Sequence, residues 1–276
     1  MRLGFIGLGQ MGFRIAKNIS YKHKINIWNR TESVSDKFNN LYNSEKYNNI
    51  PELSKNTDIL FTCLPTSDEV SIISKQLIND SKEKKYLIDI TSGDYEKTVK
   101  IHNYLQSKNI EMLDCPVSGG PEKAEMGNLT AMVSGNIENY NKIKNYINLF
   151  SNTNYTGPIG SSHAIKSINN LLNVSNLIIA NEGINALSQL GIEPEIALNV
   201  INKSSGRSLM TEERLPKNVL NGKFNYGFKL NLMQKDTDLA LKLIDNKEYF
   251  EPIIQKINKT LEKNKEDCDY TYVCKK

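Results

Sequence analysis

The chain has 276 residues, of which 39% are hydrophobic and 24% are charged, as is typical of a globular protein. This length accommodates two compact domains or one large one. The formal net charge is only +4, and lysine and glutamate are mixed along the chain, so we expect no basic face of the kind that binds nucleic acid.

The cysteines and the apolar segments indicate the compartment. None of the four cysteines forms a CxxC pair: Cys63, Cys115, Cys268 and Cys274. Free thiols in a reducing compartment are expected, with a disulfide between the last two as the alternative. Met1-Arg2 leads directly into an apolar run without a secretory-signal pattern, and the apolar stretches are too short for a membrane span. We expect a cytoplasmic protein with no membrane partner.

The first half of the chain alternates short apolar runs with polar segments of helical length. The predicted strands are 3–6, 25–28, 59–64, 86–90, 110–113 and 129–134, with a last one near residue 154. The predicted helices are 11–20, 68–78, 95–108 and 137–150. This alternation predicts an α/β domain built on a doubly wound, mostly parallel sheet with right-handed crossovers.

The pattern changes after the turn cluster Gly157-Pro158-Ile159-Gly160. The rest of the chain reads as helices, predicted at 164–190, 195–202, 232–245 and 250–264. The first of them has apolar residues on both faces, which predicts a position in a core or a subunit interface. We therefore predict a sheet domain over 1–160 and an all-helical domain over 161–276.

A glycine-rich turn follows the first predicted strand, with the sequence Gly7-Leu8-Gly9-Gln10-Met11-Gly12. In such a motif the first glycine permits a tight turn, the second lets the backbone approach a pyrophosphate, and the third lets helix and strand pack closely. The amides of the helix N-terminus then bind the anion. The strand–turn–helix context predicts a Rossmann-like dinucleotide site, and the alternative is a structural glycine turn.

The end of the second predicted strand, Asn29-Arg30-Thr31, indicates which dinucleotide binds. An NAD site usually places Asp or Glu about 20 residues past the glycine motif. Here Arg30 can pair with a 2′-phosphate, and Asn29 and Thr31 can donate hydrogen bonds to it. The sequence therefore favours NADP, with NAD possible. The alternative interpretation is that Arg30 is a solvated loop residue.

Three further segments occur in a fixed order along the chain. They are Asp114-Cys115-Pro116-Val117-Ser118-Gly119-Gly120 with Ala124, Gly127, Leu129 and Met132; Gly160 with Lys166-Ser167-Ile168-Asn169-Asn170; and Lys235-Asp236 with Leu239-Ala240. They resemble the substrate signature, the catalytic helix and the C-terminal cofactor signature of the β-hydroxyacid dehydrogenase family. Together with the glycine motif, the resemblance covers essentially the whole chain.

The resemblance implies roles for Lys166 and Asn170. Lys166 would be the general acid in carbonyl reduction and the base in the reverse direction. Burial beside the cofactor would lower its pKa. Asn170 lies four residues later, on the same helical face, where it would orient the lysine or bind the substrate. Without the other motifs, the usual interpretation of such a lysine is a solvated helix residue.

The same resemblance assigns the remaining site residues. The hydroxyl of Ser118 and the amides of Gly119 and Gly120 would bind a substrate carboxylate, although a simple loop is the alternative. Lys235 would approach the cofactor or close the cleft, or else form a surface salt bridge with Asp236 or Asp238. Ser92 and Leu64-Pro65 would line the nicotinamide side. No metal site is expected, and we interpret His163 as structural.

The segment from Asn202 to Ser208 resembles the 3-hydroxyisobutyrate dehydrogenase branch of the family. Leu209 follows where that branch commonly has an aromatic residue, and Ser162 stands where the family usually has a glycine. The predicted activity is hydride transfer between NADP(H) and a small β-hydroxy acid or aldehyde acid, by a homodimer or homotetramer joined through its helical half.

Alternatives to this activity stay open. Glyoxylate, succinic semialdehyde or tartronate semialdehyde reduction would be a different activity of the same family. A non-catalytic NADP-binding regulator would use the same fold without turnover. A relative of imine reductases or sugar-phosphate dehydrogenases is less consistent with the retained Lys166 and with the chain length.

Overall fold

The computed structural model describes residues 1–264 and 268–275. By its internal contacts the chain divides into two compact units, Met1–Lys166 and Ser167–Lys276. The division therefore falls inside a long helix, a few residues after the boundary predicted at residue 160.

The first unit contains strands β1 to β9 and helices α1 to α7 among the residues described. The strands are β1 (Leu3–Ile6), β2 (Ile25–Trp28), β3 (Ser44–Lys46), β4 (Ile59–Thr62), β5 (Lys85–Asp89), β6 (Ile110–Asp114), β7 (Val117–Ser118), β8 (Leu129–Ser134) and β9 (Ser151–Gly157). The helices are α1 (Gln10–Ser20), α2 (Glu32–Leu41), α3 (Ile50–Lys55), α4 (Ser67–Gln76), α5 (Tyr95–Gln106), α6 (Gly120–Glu125) and α7 (Ile137–Ile147).

The strands form one sheet whose first six members are parallel, in the order β3-β2-β1-β4-β5-β6. Strand β8 is antiparallel to β6 and β7 and parallel to β9. The predicted mostly parallel sheet is thus confirmed. The strand order changes side between β1 and β4, because β2 and β3 lie on one side of β1 and β4 to β6 lie on the other. Open α/β sheets bind ligands at such a point, at the carboxyl ends of their strands.

The central strands are buried on both faces because helices cover both sides of a parallel sheet. Every residue of β1, β4 and β5 is buried. Phe5 of β1 stacks on Phe61 of β4, and Phe150 meets Phe61 edge-on. This packing holds β1 and β4 in place, and the motif residues follow the carboxyl ends of these strands.

Five elements of the first unit were not predicted from the sequence: α2, β3, α3, β7 and α6. Helix α2 is mostly polar and buries only Ser35 and Phe38, so its apolar periodicity is too weak to detect. Strand β3 has three residues, none of them fully buried. Short edge strands of this kind carry little alternation.

The second unit is helical, as predicted. Helix α8 (Ser161–Gln189) begins in the first unit and continues into the second. It is followed by α9 (Pro194–Ile201), a π-helix (Met210–Val219), α10 (Leu230–Leu241) and α11 (Glu251–Asn264), with 3-10 turns at Glu248–Phe250 and Tyr270–Cys274. The π-helix contains Pro216, whose missing N–H interrupts an ordinary helical ladder. For that reason the sequence pattern predicted nothing there.

Two expectations about chemistry and environment can be compared with the structure. All four cysteines are free thiols, as predicted, so the alternative disulfide between Cys268 and Cys274 is not formed. Among the residues described, no helix combines the length and apolar character needed to cross a membrane.

Candidate active site

The glycine turn between β1 and α1 leaves no room for side chains at its first and third glycines. Gly7 has a φ of +98°, and a Cβ there would lie 2.3 Å from the carbonyl oxygen of Cys63. A Cβ on Gly12 would lie 1.9 Å from the carbonyl oxygen of Gly7. Both positions therefore require glycine, and α1 packs directly against the turn as the motif predicts.

Gly9 differs from the other two glycines because the space beside it is open. A Cβ added there meets no atom within 4 Å. Gly9 is the N-cap of α1, which begins at Gln10-Met11 and has no acidic residue in its first turn. The exposed backbone and the N-terminal amides therefore form a cradle that fits the pyrophosphate of a dinucleotide.

Asn29 joins this turn to the end of β2. Its Oδ1 accepts a hydrogen bond from the amide of Leu8 at 2.9 Å, and its Nδ2 donates to the carbonyl of Thr31 at 2.9 Å. The carboxamide therefore holds the glycine turn in place. Asn29 was predicted as a donor to a 2′-phosphate, and one of its two N–H groups is already used within the loop.

Arg30 and Thr31 are exposed, and Thr31 is the N-cap of α2. Among the described residues no carboxylate forms an ion pair with Arg30. The carboxylates of Glu32 and Asp36 on α2 instead lie 2.9 and 2.6 Å from the ammonium of Lys46. Lys46 therefore offsets part of the negative charge of α2, and Arg30 stays exposed and can meet an anion. The sequence reasoning did not single out Lys46.

Leu64-Pro65 and Ser92 follow β4 and β5 at the same sheet edge. The amide of Leu64 donates to the hydroxyl of Thr91 at 3.1 Å, which ties the two loops together. Pro65 is exposed, and Leu64 and Ser92 are half-buried. The parallel register of β4 and β5 thus places all three predicted residues on adjacent loops.

Ser118, Gly119 and Gly120 form the end of β7 and the start of α6. Gly119 and Gly120 have φ values of +133° and +71°, conformations that favour glycine. A Cβ on Gly119 would also lie 2.9 Å from Cδ of Lys123. The loop therefore has a half-buried serine hydroxyl, followed by two residues whose backbone carries no side chain. Nearby Cys115 is buried, which raises the pKa of its thiol and makes it a poor nucleophile.

Asp114 anchors the start of α8 from the end of β6. Its buried carboxylate accepts hydrogen bonds from the amide of Gly160 at 2.8 Å, the amide of His163 at 3.0 Å and the hydroxyl of Ser134. Ser134 Oγ in turn accepts from the amide of Ser162 at 3.1 Å. A carboxylate at a helix N-terminus is favourable for both its hydrogen bonds and its charge. The first turn of α8 is therefore fixed to the sheet.

His163 is packed inside the first unit, in agreement with a structural role. Its Nδ1 lies 2.7 Å from Oγ1 of Thr98, and its Nε2 lies 4.0 Å from Oδ2 of Asp89. A Cβ on Gly93 would lie 2.6 Å from the His163 ring. Burial raises the pKa of Asp89, and the neighbouring His163 opposes that rise. The ring thus fills the space against the loop that follows Ser92.

Lys166 is only 9% exposed and follows the anchored turn of α8. Among the described lysines, the other buried one is Lys85. The Lys85 ammonium donates to the carbonyls of Ser54 and Ile78, and burial lowers its pKa. Lys85 thus closes a loop, whereas Lys166 lies in the motif predicted to be catalytic.

Within the second unit, Asn170 contacts the C-terminal motif. Its Nδ2 donates to Oδ2 of Asp236 at 2.6 Å, and its Oδ1 accepts from Asn169 at 3.2 Å. Lys235 lies 3.2 Å from Oδ1 of Asp236. The ion pair between Lys235 and Asp236, which was the alternative interpretation of Lys235, is thus present. It is not a surface ion pair, because Asp236 is buried.

For two acidic residues in the quoted motifs, the sequence did not predict the contacts that the structure shows. Asp114 and Asp236 are buried acidic residues on a strand and a helix. A carboxylate at the end of an apolar strand, as at Asp114, is the signal that could have identified the anchor, because buried charges need several partners.

Comparisons with known proteins agree with this arrangement. The family model described as the NAD binding domain of 6-phosphogluconate dehydrogenase matches residues 2–160. The model described as NAD-binding of NADP-dependent 3-hydroxyisobutyrate dehydrogenase matches residues 160–270. The chain is 30% identical over 253 residues to 2-(hydroxymethyl)glutarate dehydrogenase of Eubacterium barkeri, a match that covers 88% of this chain and 82% of the relative.

Solved structures share the fold. The 3-hydroxyisobutyrate dehydrogenase of Mycobacterium tuberculosis, solved with L-serine, superposes with a TM-score of 0.92 at 21% identity, over 99% of this chain and 98% of that one. Psf3 in complex with NADP+ and 2-OPP superposes with a TM-score of 0.86 at 24% identity, over 99% and 98% of the two chains.

A dinucleotide turn on a parallel sheet, followed by a helical unit, defines an NAD(P)-dependent oxidoreductase. The chain belongs to the β-hydroxyacid dehydrogenase family and is an NAD(P)-dependent hydroxyacid dehydrogenase of the 3-hydroxyisobutyrate dehydrogenase type.

Proposed function

We propose that this enzyme interconverts a small β-hydroxy acid and its aldehyde acid with NADP(H), and that Lys166 is the general acid and base. The observation that carries the proposal is the burial of Lys166 directly after an anchored helix start. Burying an ammonium is costly, and Lys166 has the position that the family motif gives to its catalytic lysine.

Lys166 supplies the proton in this mechanism. In reduction its ammonium protonates the carbonyl oxygen as hydride reaches the carbon, and in oxidation the neutral amine removes the hydroxyl proton. The nicotinamide of the bound cofactor supplies or accepts the hydride.

The other residues hold the substrate and the cofactor. Asn170 lies one helical turn after Lys166, and Asp236 fixes the orientation of its amide. We assign the substrate carboxylate to the Ser118 hydroxyl and the amides of Gly119 and Gly120. Lys235, Ser92 and the Leu64-Pro65 segment are assigned to the nicotinamide side.

The preference for NADP is part of the proposal. Arg30 is exposed and forms no ion pair with a carboxylate among the residues described, so it can meet a 2′-phosphate. The family model that matches residues 160–270 describes an NADP-dependent enzyme, and Psf3 was solved with NADP+. These observations support NADP over NAD.

For the substrate we propose a small hydroxy acid of the 3-hydroxyisobutyrate kind. The description of the matching family model supports this choice. Glycerate with tartronate semialdehyde, glyoxylate and succinic semialdehyde share the same chemistry, namely a carboxylate close to a hydroxyl or carbonyl group. They are therefore the comparison compounds for an activity screen.

We further propose that the enzyme is a cytoplasmic homodimer or homotetramer. The free thiols support a reducing compartment. Helix α8 exposes Ile165, Leu172 and Ile179, which are spaced by seven residues and so lie along one side of the helix. A second copy of the chain would cover this stripe.

The experiment that tests the activity is a screen of the purified protein with NADPH and NADH against the aldehyde acids named above, and with NADP and NAD against the hydroxy acids. We expect turnover with at least one pair and a preference for the phosphorylated cofactor. NADPH binding without turnover across the panel would instead support a non-catalytic NADP-binding protein.

A further inference from the structure

Asp114 links two parts of the proposed site, one through its backbone and the other through its side chain. It is the last residue of β6 and begins the segment that leads to Ser118, Gly119 and Gly120. Its carboxylate also holds the first turn of α8 through the amides of Gly160 and His163. The side chain of Asp114 thus bonds the start of the helix that carries Lys166, and its backbone leads into the proposed substrate loop.

The sheet register explains why Ser134 takes part in this anchor. Asp114 and Ser134 are directly paired in the antiparallel contact between β6 and β8. Ser134 donates its hydroxyl proton to Asp114 and accepts from the amide of Ser162. The oxygens of Asp114 and Ser134 therefore accept from the amides of Gly160, Ser162 and His163, which lie in the first turn of α8 or just before it and have no acceptor within the helix.

Asp114 and Lys166 are connected by a short, stiff path. His163, whose amide bonds Asp114 at 3.0 Å, precedes Lys166 by three residues, and positions three apart on a helix are neighbours. The hydroxyls of Thr156 in β9 and Ser162 in this turn are also hydrogen-bonded to each other, at 2.7 Å. A shift of the anchored turn would therefore move the lysine with it.

We propose that Asp114 is a positioning residue for catalysis, which sets the location of Lys166 relative to the loop of Ser118, Gly119 and Gly120. This inference rests on the proposed role of Lys166. Asp114 itself touches neither substrate nor proton in transit, and it acts through the backbone of α8. Its charge and its two accepting oxygens, rather than its size, are the properties that matter.

The variant Asp114→Asn tests the inference because it keeps the shape and removes the charge. Asp114 offers Oδ1 to the Gly160 amide and Oδ2 to the His163 amide. An asparagine has one accepting oxygen and an NH2 group, so one of these two amides would face a donor instead of an acceptor. We expect kcat on the best substrate of the panel to fall about 100-fold, since misplacement by about 1 Å can cost that much. The Kd for NADPH should stay within about twofold of wild type, because the glycine turn is untouched.

A second measurement follows the helix itself, without turnover. Hydrogen exchange of the apo protein, read by mass spectrometry, should show faster exchange in 160–166 for Asp114→Asn and unchanged exchange in α1. The variant Ser134→Ala removes a smaller part of the anchor. It should show the same pattern more weakly, with kcat lowered about fivefold.

The matched control is Asp269→Asn in the second unit. Asp269 also accepts several hydrogen bonds, from the amides of Gly227, Phe228 and Thr271. Its loss should lower the melting temperature, while kcat per folded molecule stays within about twofold of wild type. Comparing the two aspartates separates lost stability from lost positioning.

The outcomes also separate this inference from the proposed function. If Lys166→Ala abolishes turnover but Asp114→Asn keeps more than about a third of wild-type kcat, the positioning role is wrong and the activity assignment stands. Unchanged exchange in 160–166 in the Asp114→Asn variant would overturn the inference whichever substrate is used. If Lys166→Ala keeps full turnover, the proposed function fails first.

Discussion

Asn170 donates a hydrogen bond from Nδ2 to Oδ2 of Asp236 at 2.6 Å, and the carboxylate that accepts it is only 2% exposed. A charged acceptor makes this bond strong. With Asn169 donating to Oδ1 of Asn170, both ends of the carboxamide have assigned partners. The second unit thus holds Asn170 in one orientation, one helical turn beyond Lys166.

The variant Asp236→Asn is expected to lower kcat/KM about 10- to 100-fold, because a hydrogen bond to a charged group is worth about 1.5–3 kcal/mol. Asp238→Asn is the control, since Asp238 is exposed on the same helix. Steady-state kinetics of the two variants decide the question. Equal effects of both substitutions would show that Asp236 does not orient Asn170.

The glycine turn gives a pair of contrasting variants. Gly12→Ala places a Cβ 1.9 Å from the carbonyl oxygen of Gly7, so it should lower the melting temperature by about 5–10 °C. Gly9→Ala meets open space and has a permitted φ of −72°, so its melting temperature should stay near that of wild type. Its Kd for NADPH should nevertheless rise at least about tenfold, because the methyl group occupies the approach of the pyrophosphate. Normal NADPH binding by Gly9→Ala would place the cofactor elsewhere.

Arg30 is predicted to select the phosphorylated cofactor. Arg30→Ala should raise the Kd for NADPH about 10- to 100-fold, the loss expected for a charge-assisted hydrogen bond, and leave NADH binding almost unchanged. Lys24→Ala removes an exposed cation that pairs with Glu45 at 2.7 Å and serves as the control. Fluorescence titration with both cofactors measures the effect. An equal loss for NADPH and NADH would contradict the selective role.

The exposed stripe on α8 predicts self-association. Replacing both Leu172 and Ile179 by aspartate should shift the protein toward monomer in sedimentation velocity, because it places charges where a second copy would bury apolar side chains. Substituting the exposed Tyr21 of the first unit by aspartate should leave the sedimentation coefficient unchanged. A monomeric wild-type protein at micromolar concentration would rule out the proposed assembly.

The sheet could be predicted where its strands are apolar and buried. β1, β2 and β8 have the predicted bounds, because most of their residues are apolar and buried. α2 was not predicted because Phe38 is the one large side chain that it buries. β3 was not predicted because it is a short edge strand, defined by its pairing with β2. Such elements are set by tertiary context rather than by local pattern.

The motifs predicted which elements carry the candidate residues, but not the contacts that hold those residues. The sequence placed Lys166 and Asn170 on one helix and the glycine turn at the end of β1. It did not reveal that Asp114 bonds the start of α8 or that Asp236 bonds Asn170. These are hydrogen bonds between residues 49 and 66 positions apart, and only the folded chain determines them.

The central claim is tested most directly by turnover of Lys166→Ala. General acid catalysis contributes about 10²–10⁴-fold, so kcat should fall by that factor, equivalent to about 3–5 kcal/mol in the barrier. The Kd for NADPH should remain close to that of wild type. A Lys166→Ala enzyme that turns over substrate at the wild-type rate would contradict the account.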